Sequence, residues 1–220
     1  MVYPLEAVTM TGGQMHAGTN AHQSVPGGGP PSGDCPVPLD GRLLERAIYF
    51  ALTAVQGVTP DMLGRGTPCE SWNLEMLLLH LRDSLAALYD GVCLGRVAMN
   101  PEPLVPEEDP VSAVRVRAVR LLRKSLSPGR VEIGDRGMDR GVMAAAGAIE
   151  VAVHGWDIAQ ASGSRSPIPP ALADELLALA PLLAPGPQER WPLFADPVEP
   201  GVDAGSGDRL VALLGRRPLS

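Results

Sequence analysis

His80, Glu150, His154 and Asp157 are the residues of this chain whose types and spacing could do chemistry. Three of them fall within "EVAVHGWDIAQ", residues 150–160, inside one of the most apolar stretches. Steps of four, four, three and four residues put Ala146, Glu150, His154, Asp157 and Ala161 on one stripe of a helix, with small residues bracketing the polar ones. A carboxylate and an imidazole one turn apart present an oxygen and a nitrogen to the same point, and such a pair can grip a divalent metal. His80, on a second apolar helix, would complete a His2Glu set. Three protein ligands leave an open position, the catalytic rather than the structural arrangement for zinc. Bundle cores build metal sites from facing helices in this way. The same spacing also fits a plainer arrangement, a Glu–His pair on a solvated edge with His80 as a hydrogen-bonded core histidine. Two observations favour the metal. His80 and His154 both lie on apolar helices, and a buried carboxylate is costly unless it is paired or coordinated.

These side chains need helices to carry them. "DGRLLERAIYFALTAVQGV" places Leu43, Leu44, Ala47, Ile48, Ala51, Leu52 and Val55 at helical spacing, with Gly57 as a stop. Asn73 is an N-cap for a second helix, which aligns Leu74, Leu77, Leu78, Leu81, Leu85 and Leu88 and has Gly91 as its expected C-cap. His80 lies at the flank of that leucine face. A third helix covers "VSAVRVRAVRLLRKSL", and a fourth runs from about Asp139 to Ala161. "PPALADELLALAPLLA" forms a shorter fifth helix, and "DRLVALLGRR" a last helical turn or two. Residues 131–137 read as a short strand or hairpin arm. The expected fold is all-α, a four-helix bundle with a short extra C-terminal helix and almost no β structure.

Composition bounds the rest. The 220 residues suit one domain with a sizeable core, at 39–220, preceded by an extension at 1–38. Residues 26–38 hold nine Pro or Gly in thirteen positions, which predicts a flexible, disordered segment. The net charge of −7 and pI near 5.1 argue against nucleic acid and anionic membranes as partners. Cys35, Cys69 and Cys93 are few and far apart, which reads as reduced thiols rather than a disulfide framework. The first basic residue is Arg42, so no positively charged leader is expected. Glu150 and Asp83 interrupt the longest apolar runs, so no membrane span is expected either. A cytoplasmic protein follows. Phosphate loops, GxSxG and dinucleotide fingerprints are missing from the sequence. Cys69, just before a helix start, is a weaker candidate thiol.

"TPCESWNLEMLLLHL" resembles the TPC-x-x-W…LL-x-H motif of actinobacterial proteins of the DinB/YfiT-like superfamily. "EVAVHGWDIAQASG" is similar to its acid-x-x-x-H-G-W-D-x-A motif, and "LVALLGRRP" to its usual ending. The likeness runs from about Leu39 to the C-terminus and is strongest to the branch related to the N-terminal domain of mycothiol-dependent maleylpyruvate isomerase. It implies a four-helix bundle with a divalent metal on His80, Glu150 and His154. Zinc is the first choice, with nickel or iron as the others. It also implies a small-molecule substrate and use of mycothiol as cosubstrate in thiol transfer or thiol-dependent isomerisation. Asp157 then orients a ligand imidazole or manages protons in catalysis. The isomerase's C-terminal domain has no counterpart here, so maleylpyruvate itself is not expected as substrate. A metal-dependent hydrolase, a secondary-metabolism enzyme without thiol, and a non-catalytic metal- or ligand-binding module stand as alternatives, and a homodimer is compatible with all of them.

Overall fold

The computed structural model describes residues 41–69, 72–98, 109–183 and 195–218. The expected extension at 1–38 lies outside them. Among the described residues the chain forms six α-helices: α1 Arg42–Gln56, α2 Leu74–Leu94, α3 Pro110–Leu122, α4 Arg140–Ser162, α5 Pro170–Leu183 and α6 Ser206–Leu213. Three short strands, β1 Arg96–Val97, β2 Arg130–Ile133 and β3 Arg136–Asp139, accompany them.

The expectation of an all-α chain is therefore corrected. The protein is mostly helical with a small sheet in the order β1-β2-β3, β1 parallel to β2 and β2 antiparallel to β3. The hairpin exists because Val131 and Ile133 alternate into the core while their neighbours face water. The expected strand or hairpin arm at 131–137 thus falls inside it. The two residues of β1 carry no periodicity that a sequence could betray.

Side-chain caps fix three of the helix starts. Asn73 accepts from Met76 N–H at 2.9 Å, Asp109 from Ser112 N–H at 2.9 Å, and Asp139 from Gly141 N–H at 2.8 Å. The end of α2 is a second correction. Gly91 is not its C-cap but an interior, buried residue, and the helix runs on to Gly95, which takes the left-handed conformation at φ 67°. Gly91 is glycine for room, because a Cβ there would collide with the Met143 thioether of α4.

Four helices close a ring of contacts: α1 lies along α4, α4 against α2, α2 against α3, and α3 against α1. Leu44, Ile48, Leu77, Leu81, Leu85, Ala148, Val151 and Ala152 fill the space between them. The approach of α1 to α4 is close at Gly155, where a Cβ would sit 2.9 Å from Ala51 Cα. Helix α5 packs on α4, and α6 packs on α5.

Helix α4 departs from expectation in one respect. It is long and apolar enough to cross a bilayer by length and composition, with a mean hydropathy of 1.2. Within this fold 89% of that window is buried in protein, so its apolar surface is satisfied as the central core helix. Among the described residues Cys69 and Cys93 are not joined in a disulfide, and Cys35 lies outside them.

Candidate metal centre

Helix α2 brings His80 to the interface with α4, and α4 brings Glu150 and His154. Their donor atoms all lie within 4.8 Å of one another, so the three residues that sequence spacing singled out are assembled and could coordinate a metal ion. The exposures are 2% for His80, 8% for the Glu150 side chain and 6% for His154. These figures decide against the solvated-edge arrangement. The two imidazoles meet edge to face, 5.0 Å between centroids.

Helix geometry explains the convergence. Glu150 and His154 are one turn apart on α4, and His80 and Ser84 are one turn apart on α2. Glu150 Oε1 is the meeting point of the two pairs. His80 Nε2 donates to it at 3.1 Å, and the Ser84 hydroxyl donates to the same oxygen. Burial works against the Glu150 carboxylate. The hydrogen bond and charge of His80, the charge of His154 and the Ser84 hydroxyl outweigh it, and the carboxyl titrates below the ordinary glutamate value. The group is therefore an anion at neutral pH, as a metal ligand must be.

His154 is prepared differently. Its Nδ1 lies 3.1 Å from Asp157 Oδ2. An ionised carboxylate can only accept, so Nδ1 carries the hydrogen and the ring's lone pair is left at Nε2. That tautomer suits metal ligation, and a carboxylate behind the ring is the usual way to fix it. Burial holds the His154 imidazole below its ordinary pKa. The nearby charges of His80 and Arg216 act in the same direction and Asp157 against it, and the downward shift prevails.

Asp157 itself is fully buried. Burial would raise its pKa, but the Arg216 guanidinium and His154 hold it below the usual carboxylate range. It sits behind His154, away from the point shared by the three donors.

Three contributors escaped the sequence reading of the site. Ser84 had a signal, since it stands four residues after His80 on the same face. Trp72 packs over both imidazoles, with centroids 4.6 Å from His80 and 6.1 Å from His154. An indole thus covers the two histidines of the site. The turn before α2 places this ring: the Thr67 hydroxyl lies 3.0 Å from the Trp72 carbonyl and 3.1 Å from that of Cys69, and Trp72 N–H donates to Cys69 O at 3.1 Å. Arg216 is 59 residues from Asp157, and nothing in the sequence pairs them.

The donor set fits a divalent ion. It offers imidazole nitrogens and one carboxylate, all buried, with one tautomer already fixed.

Two proteins of Mycobacterium tuberculosis resemble the chain along nearly their whole length. Uncharacterized protein MT0763, of strain CDC 1551 / Oshkosh, and uncharacterized protein Rv0738, of strain ATCC 25618 / H37Rv, are each 32% identical over 197 residues. The alignment covers 81% of this chain and 97% of each relative. No family model matches the chain, and no solved structure matches it.

Proposed function

The chain belongs to the family of the mycobacterial proteins MT0763 and Rv0738, and from the site it builds we propose a divalent-metal enzyme of the DinB/YfiT-like superfamily, with a four-helix bundle formed by α1 to α4. The reaction is transfer of a low-molecular-weight thiol of the mycothiol type to a small electrophile, or thiol-dependent isomerisation of one. The observation that carries the reading is the buried convergence of His80, Glu150 and His154 within 4.8 Å.

Zinc is the favoured ion, because two imidazoles and a carboxylate with no thiolate match its ligand preferences, and nickel or iron are the alternatives. Zinc, when bound, supplies Lewis acidity and lowers the pKa of a thiol or water at its open position. The chain's own residues do the rest. Glu150 contributes the single negative charge, Ser84 holds its oxygen, and Asp157 keeps His154 in one tautomer. Trp72 shields the imidazoles from water. In the transfer itself the sulfur forms a bond to an electrophilic carbon of an epoxide or activated alkene. The electron pair displaced from that carbon takes up the proton the thiol has lost. With Asp157 wholly buried behind His154, its part is to orient the ligand rather than to meet the substrate. The proposed setting is the cytoplasm.

The depth of the site supports a second reading. With both histidines under a tenth exposed, a module that holds a metal without turnover is also consistent with the geometry. One experiment separates the two. Protein purified without a nickel column is analysed for metal, then incubated with mycothiol or a thiol surrogate and a panel of epoxides and activated alkenes. Adducts formed faster than the uncatalysed rate, in proportion to bound metal, support the transferase. Metal at one equivalent with no adducts supports the holding module, and hydrolysis without thiol makes the protein a hydrolase. Less than about a tenth of an equivalent of zinc or any transition metal, in folded protein never exposed to chelator, removes the metal reading altogether.

A further inference from the structure

Helix α6 ends in a turn that sends a charged side chain back into the core. Arg216 N–H donates to Val211 O at 2.9 Å and Gly215 N–H to Ala212 O at 3.0 Å, the paired bonds of a Schellman cap. Gly215 has φ 83°, and a Cβ there would lie 2.9 Å from the Ala195 carbonyl oxygen, so the turn requires glycine. Beyond it the Arg216 guanidinium reaches Asp157 on α4, with Nε 3.4 Å from Oδ1 and Nη2 3.1 Å from Oδ2. Its Nη1 donates to Leu214 O, within its own turn, at 2.9 Å. The guanidinium thus ties the turn to Asp157. Asp157 in turn holds His154 Nδ1. Helix α6 packs chiefly on α5, and this polar chain links the turn at its end to the metal-facing helix.

We propose that Arg216 is a positioning residue that couples the seating of the C-terminal turn to metal affinity, acting through Asp157 on His154. The inference rests on the metal reading above. A carboxylate held by a two-nitrogen fork cannot swing away from the ring it orients, so His154 keeps its lone pair at Nε2 in readiness for the ion. Linkage makes the effect reciprocal: whatever affinity the seated turn adds for the metal, the metal adds to the seating of the turn. The device would let anything that draws residues 206–216 off the bundle release the ion.

The test uses the full chain. Zinc affinity is measured by competition with a chromophoric chelator for the wild type and for R216K, R216M, D157N and G215A, and helicity is checked by circular dichroism. Hydrogen exchange at residues 210–216 is followed with and without zinc. R216M and D157N should each weaken zinc roughly 10–100-fold at unchanged helicity. R216K should recover part of the loss, and zinc should slow exchange at the Gly215 and Arg216 amides in the wild type but not in R216M. Should R216M fail to fold, G215A carries the same test. It unseats the turn, and Arg216 with it, without replacing any side chain of the site, and should weaken zinc as well. Unchanged zinc affinity in R216K, R216M and G215A, with exchange at the turn indifferent to zinc, overturns the coupling. A wild type that binds no zinc overturns the metal reading itself, and this appears in the first titration, before any variant is compared.

Discussion

Arg216 and Asp157 form a wholly internal ion pair across 59 residues of chain, with two guanidinium nitrogens facing the two carboxylate oxygens. Neither partner is more than a tenth exposed. Removing one partner of such a pair leaves the other charge buried without compensation, which costs about 3–5 kcal/mol. D157N and R216M should each fall in that range in urea denaturation of the metal-free protein. Replacing both with apolar residues, D157L/R216M, should cost much less than the sum, because no orphaned charge remains. Additive losses would mean that the pair is not energetically coupled.

Glu150 is the only anionic member of the ligand set, so E150Q should separate metal binding from folding. Gln can still accept from His80 and Ser84, and the metal-free variant should melt close to the wild type. With zinc at about 100 times its dissociation constant, the wild type should gain about 2.7 kcal/mol of stability. E150Q should gain none at the same concentration. Thermal melts with and without zinc, alongside a chelator control, measure both quantities. An equal zinc-dependent gain in E150Q would remove Glu150 from the site.

The ligand set was legible in the sequence because helical periodicity is a strong signal. Glu150 and His154 on one apolar helix and His80 on another are visible from spacing, and so is the cap at Asn73. What packs across helices was not visible. Gly91 reads as a helix end because glycine usually marks one, yet here its missing side chain makes room for Met143. The hairpin was visible only in part, since alternation of Val131 and Ile133 spans too few residues to outweigh the helical pattern around it. Arg216 reads as one more residue of the last helical turn. Its role depends on a reversal at Gly215 and on a buried Asp157 that needs a counter-charge, and the second fact requires knowing what α4 buries.

Gly91 and Gly155, two of the crowded helix glycines, should respond differently to added volume. At Gly155 the nearest atom to a new Cβ is the Ala51 Cα, a backbone atom of α1 that cannot rotate away. G155A should therefore push α1 from α4 and cost about 1–3 kcal/mol. At Gly91 the obstacle is the end of the flexible Met143 side chain, which can take another rotamer. Alanine also gains up to about 1 kcal/mol over glycine in a helix interior. G91A should consequently lie near neutral. Chemical denaturation of the two variants checks the order, and an equal or larger loss in G91A would show that Met143 has no alternative place to go.

Trp72 should report on the metal centre without holding it. Its ring lies against both imidazoles, 4.6 Å from His80 and 6.1 Å from His154 between centroids. The chain has three tryptophans, and Trp156 faces the core from the same helix turn as the ligands. A divalent charge arriving between His80 and His154 changes the field at the Trp72 indole directly, so emission should shift on zinc addition and saturate at one equivalent. W72F keeps an aromatic face over the histidines. Since aromatic pairs of this kind contribute about 0.5–1.5 kcal/mol, W72F should weaken zinc by no more than about tenfold while abolishing most of the emission change. W156F should retain that change. The decisive comparison is a zinc titration followed both by fluorescence and by chelator competition. A signal that survives in W72F and vanishes in W156F would place the ion away from the Trp72 ring, and with it away from the point where His80, Glu150 and His154 converge.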